Sequence, residues 1–74
     1  MTKLPRNVKS LKMIRITKKV GFQEVNKRGS HRDFKHEDGR RTAIAVHPKP
    51  IPVGTLRKIL SQLQITLQEL NDLL

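Results

Sequence analysis

The chain contains no cysteine, tryptophan or tyrosine, and only two phenylalanines among its 74 residues. Without cysteine there is no disulfide framework, no thiolate zinc site and no thiol nucleophile. With only Phe22 and Phe34 as aromatics, recognition of single strands by stacking bases on aromatic platforms is disfavoured. So is a membrane-surface helix, which needs bulky aromatics on its apolar face. No apolar run approaches the roughly 18 residues that span a bilayer. The opening residues are basic with no apolar core after them, so no secretory signal is expected and the expected location is cytoplasmic. Length excludes more: about 74 residues support one domain, here 1–74, with a thin core and no large cofactor cleft.

Acidic residues are scarce too. Six Asp and Glu face sixteen Lys and Arg, a net charge of +10 with histidine neutral. Such an excess attracts polyanions. It is also unevenly spread. All sixteen basic residues lie between Lys3 and Lys58 with four acids among them, a net +12, whereas the last 16 residues carry only Glu69 and Asp72, a net −2.

Periodicity divides the chain into elements. From Asn7 to Val20 the apolar residues Val8, Leu11, Met13, Ile14, Ile16 and Val20 recur mostly at three- and four-residue intervals, which predicts a helix. Asn7 is a candidate N-cap, and Gly21 stands where a left-handed residue ends a helix. From Phe22 the period becomes two, predicting strands over 22–27, 31–37 and 41–46 with Val25, Phe34, Ile44 and Val46 on the buried face. The other face carries His31, Asp33, Lys35 and Arg41. A glycine turn at Gly29 and the Asp38-Gly39 pair join the strands. Pro48, Pro50 and Pro52 force an extended connector. A second helix opens at Gly54-Thr55 with Leu56, Ile59, Leu60 and Leu63 on one side, and Thr66 with Glu69 predicts a capped helical segment over 67–74. The expected fold is α+β, in the order α-β-β-β-α, with a three-stranded antiparallel sheet and the helices on one face.

Among chemistries, the spacing of His31, His36 and His47 fits no zinc motif, and no metal or cofactor is expected. Ser30 and His31 are adjacent, so on a strand they point apart and do not form a nucleophile–base pair. What the composition allows is acid–base catalysis by histidine in a cationic field. RNA suits it, because the 2′-hydroxyl is its own nucleophile. His31 is the candidate: it follows the glycine turn, near Lys27, Arg28 and Arg32. Arg40 and Arg41 form a second basic cluster at a strand end.

Gly-Ser-His at 29–31, Asp33-Phe34-Lys35-His36, the turn at 38–40, Val46-His47 and GTLRKIL at 54–60 together resemble the HicA family of toxins, as do Leu4-Pro5-Arg6 and Gly21-Phe22. Single pieces are weak, but their order and spacing in so short a chain are specific. The resemblance implies a fold similar to double-stranded RNA-binding domains. It also implies an mRNA interferase whose catalytic histidine is His31, held inactive by a HicB antitoxin. On this reading His31 serves as general base or acid, and 2′-hydroxyl attack gives a cyclic phosphate. Lys27, Arg28, Ser30 and Arg32 meet the phosphate, while Lys35, Arg40 and Arg41 track the RNA backbone. Water, substrate or His36 supplies the second proton transfer. The alternatives are a non-catalytic double-stranded RNA-binding module and a basic protein whose charge serves to dock an acidic partner.

Overall fold

The computed structural model describes residues 4–74. Its elements run α1 (Ser10–Lys19), β1 (Gln23–Arg28), β2 (His31–Lys35), β3 (Arg41–Ala45), α2 (Val53–Leu63) and α3 (Leu67–Leu73). The three strands form one antiparallel sheet in the order β1-β2-β3, with α1 and α2 packed on it chiefly through β3. This is the expected α-β-β-β-α order with the short α3 appended. Among the described residues, no helix is long and apolar enough to cross a membrane.

The first helix begins later than its periodicity suggests. Asn7 does not cap it; Asn7 has a left-handed φ of 61°, and the N-cap is Lys9, which offers no side-chain hydrogen bond. The reason is long-range. Val8 is buried in the core and its carbonyl accepts from Ile51 N–H at 2.8 Å, which keeps this stretch out of the helix. The buried stripe of α1 is Ser10, Met13, Ile14, Ile16 and Thr17, so Leu11 points to solvent. Thr17 is buried without penalty because its hydroxyl donates to Met13 C=O at 2.8 Å.

Strand β1 departs most from expectation. Its register with β2 shifts between Glu24 and Asn26, leaving Val25 as the extra residue of a bulge. Val25 is therefore 59% exposed rather than buried. In β2 and β3 the alternation holds. Phe34, Thr42 and Ile44 face the helices, where they meet Met13, Ile16, Leu56, Ile59 and Leu63, and Val46 packs partly against the same core. Thr42 Oγ1 and Gln62 Oε1 stand 2.8 Å apart, the hydroxyl donating to the amide oxygen and tying β3 to α2.

Helix ends are closed from outside as well as locally. Pro52 is the N-cap of α2, one residue before Val53, so α2 starts just ahead of the Gly54-Thr55 pair. At its other end the Arg40 guanidinium donates to the Leu63 carbonyl, lies 5.2 Å from the Phe22 ring and pairs with Asp38 at 2.8 Å. A cation on a terminal carbonyl also suits the negative end of the helix. The Asp38 carboxyl is held below its usual value chiefly by the Arg40 backbone N–H; burial opposes this, and the Arg40 guanidinium and His36 reinforce it. Thr66 and Glu69 form the full capping box of α3.

Candidate active site

Two residues, Gly29 and Ser30, connect β1 to β2. Gly29 has φ +56° while Ser30 does not enter the left-handed region, as a two-residue hairpin turn with glycine in its first central position requires. A side chain at Gly29 would meet nothing within 4 Å, so glycine is needed there for its backbone and not for space. His31 is the first residue after the turn. Its cross-strand neighbours are Arg28 on β1 and Ala45 on β3, and the methyl of Ala45 is too small to cover an imidazole. The ring is exposed and has no hydrogen-bond partner among the described residues.

Arg28 is the cation beside it. Its guanidinium reaches Asp33 Oδ2 at 3.5 Å, with 73% of the Arg28 side chain exposed. A surface pair of this length contributes little, leaving Arg28 able to turn toward a phosphate. Asp33 shares this face, two residues from His31, so the site holds a carboxylate as well as a cation. Ser30 stands at the turn tip, and its carbonyl accepts from Val46 N–H at 2.7 Å. Lys35 and Arg41 pair with each other across β2 and β3 on the same face, roughly 13 Å along the strand from His31 at about 3.3 Å per residue.

Three of the predicted basic residues lie elsewhere. Lys27 and Arg32 are cross-strand partners, and Arg32 alternates with Phe34, so both sit on the helix-side face, opposite His31. Arg40 is held in the interior contacts described above. Arg32 is half-buried, its Nη1 is 3.9 Å from Glu24 Oε1, and its Nε is buried with no partner. An unpaired buried donor costs about 1–3 kcal/mol. Replacing Arg32 with Met is thus expected to hold or raise stability by about 1 kcal/mol in urea denaturation, and to leave the salt slope of RNA binding unchanged. A slope smaller by about 1 would mean that Arg32 does contact phosphate.

His36 also leaves the site. It lies on the opposite face and roughly 16 Å along the strand from His31, and it packs edge-on against Phe22 with ring centroids 5.2 Å apart. Its Nδ1 accepts from Asp38 N–H at 3.2 Å. Its Nε2 lies over Gly21, where an added Cβ would come within 2.8 Å. Gly21 also has φ +100°, so two independent constraints require glycine there. Among the described residues, no group of three or more His, Asp or Glu is placed to hold a metal ion.

A sheet face with an exposed imidazole at one end, arginine beside it and helices confined to the opposite side defines a small basic α+β domain with an open, histidine-bearing face. The family model described as the HicA toxin of bacterial toxin–antitoxin systems matches residues 11–65, and the chain belongs to that family. Its members are toxins, generally RNA-cleaving enzymes with a cognate antitoxin. The chain matches no curated protein.

Proposed function

We propose that this protein is a metal-independent endoribonuclease that cuts mRNA at His31 in the cytoplasm, blocks translation, and is held in check by a HicB-type antitoxin. The observation that carries this reading is the unpartnered, exposed imidazole of His31, set by a glycine turn between Arg28 and Ala45. His31 takes the proton of the RNA 2′-hydroxyl; the 2′-oxygen bonds to phosphorus; the bond from phosphorus to the 5′-oxygen breaks, and that oxygen takes up a proton from water. The products are a 2′,3′-cyclic phosphate and a 5′-hydroxyl end. Arg28 offsets charge on the phosphate, the Ser30 hydroxyl at the turn tip is a further donor to it, and Lys35 and Arg41 follow the RNA backbone along the open face. Lys27, exposed on the edge strand β1 but on the face opposite His31, contacts only RNA that passes round that edge. An inhibitor that covers His31 covers Arg28 too, so the antitoxin surface there is acidic.

The test is to incubate the purified chain, stripped of any partner, with a defined mRNA in excess EDTA. Discrete fragments with cyclic-phosphate ends are expected. Intact RNA, bound but uncut, would instead favour the double-stranded RNA-binding module.

A further inference from the structure

One proton-transfer partner leaves the phosphate only half contacted, and His36 is consumed by the fold. The remaining histidine, His47, is placed differently. Pairing of β3 with β2 continues one step past Ala45 through Val46 N–H and Ser30 C=O. Exposure keeps alternating through Ala43, Ala45 and His47, all three outward. His47 thereby stands diagonal to His31, and diagonal residues across strands are about 7–8 Å apart at the backbone, within reach of long side chains. Two imidazoles at that spacing can both reach one phosphate group.

Three contacts set the His47 ring. Its backbone N–H donates to Ser10 Oγ at 3.1 Å, and Ser10 Oγ donates to the His47 carbonyl at 3.4 Å. Ser10 is buried at the start of α1, so the main chain at His47 is pinned from the core. Lys49 N–H donates to His47 Nδ1 at 3.1 Å. A nitrogen that accepts carries no proton, so the neutral ring bears its hydrogen on Nε2. Nε2–H is an exposed donor of fixed tautomer. Beside it runs an apolar groove of about 350 Å³ between the free edge of β3, the proline connector and α2, lined by Ala45, Ile51, Pro52 and Ile59 along with His47 and Lys49.

We propose that His47 Nε2–H donates a hydrogen bond to a non-bridging oxygen of the phosphate on which His31 acts, with the neighbouring groove receiving the adjoining nucleoside. The assignment rests on the ribonuclease reading above. His31 moves the proton; His47 keeps its Nε2–H and stabilises charge gathering on phosphorus-bound oxygen. Two histidines on one face thus have separate duties.

The experiment compares His47→Ala, His47→Phe and His47→Asn on one RNA, with the cut phosphate also supplied as each of its two phosphorothioate isomers. Melting temperatures are measured alongside. Removing one preorganised donor lowers turnover by about 10²–10³-fold in known sites, so kcat should fall at least about tenfold in the Ala and Phe variants. The Asn variant, which retains an N–H donor, should recover to within about fivefold of the native chain. The isomer preference of the native protein should shrink in the Phe variant. Native kcat in a folded Phe or Ala variant, a change confined to KM, or an Asn variant as slow as Ala would each overturn the proposal. If the native chain itself leaves RNA uncut, the ribonuclease reading falls first; if it cuts and the Phe variant cuts equally, only the role of His47 falls.

Discussion

Replacing His31 with Ala will reduce RNA cleavage at least about a hundredfold and relieve growth arrest, while the protein stays folded and still binds RNA. A positioned acid–base side chain contributes about 10²–10⁴-fold to rate, and the Asn and Gln alternatives cannot replace proton transfer even where they keep a hydrogen bond. The fold has no stake in this ring. It is exposed and without a hydrogen-bond partner among the described residues, and surface substitutions of that kind change stability by no more than about 0.5 kcal/mol. Binding is dominated by Lys and Arg on phosphate, so its dependence on salt should be the same with and without the imidazole. The measurements are cleavage of a defined RNA, the salt dependence of RNA binding, and colony formation on induced expression. Cleavage by the Ala variant at the native rate would remove His31 from the mechanism. Loss of binding and cleavage together would make it an RNA anchor instead.

Phe34→Ala should have the opposite profile: loss of the fold, with activity lost as a consequence. Phe34 lies in the central strand of the sheet and is 1% exposed. Cutting a buried phenylalanine to alanine costs about 3–5 kcal/mol. A domain this small rarely holds more than about 3–5 kcal/mol in its core without staples, and this one has no disulfide to add. The variant should therefore lack a cooperative thermal transition by circular dichroism at 25 °C and above. A transition within a few degrees of the native one would show that the sheet is held chiefly by something other than this side chain. Comparing the two variants separates chemistry from architecture, since His31 and Phe34 are three residues apart on the same strand and face opposite ways.

That alternation also marks what the sequence carries and what it does not. Period two in residues 31–46 places Phe34 and Ile44 inside and His31 outside, because a strand has no other way to order its side chains. The same rule puts Arg32 with Phe34; proximity in sequence to His31 suggested a shared phosphate site, but the pleat places Arg32 on the opposite face. Val25 misleads for a different reason. A bulge breaks the count by one, and nothing local in Glu24-Val25-Asn26 announces it. Asn7 has the chemistry of a cap, yet Val8 is committed to the core and to Ile51, a partner 43 positions away. Arg40 read as one more surface cation, although its guanidinium closes the end of α2, an element 13 or more residues downstream. Local signals are readable, then, where neighbours along the chain decide the outcome. The placement of His47 depends on its backbone contacts with Ser10, 37 positions away, and no short window of sequence contains both.

The tie between the start of α1 and residues 47–51 fixes an order of events during synthesis. Val8 and Ser10 leave the ribosome early, but their partners Ile51 and His47 are still to be translated. A chain interrupted after β2 displays His31 on an unanchored hairpin, which is marginal at best in water. The ties that Val8 and Ser10 make to the sheet edge therefore form only after residues 47–51 have been translated.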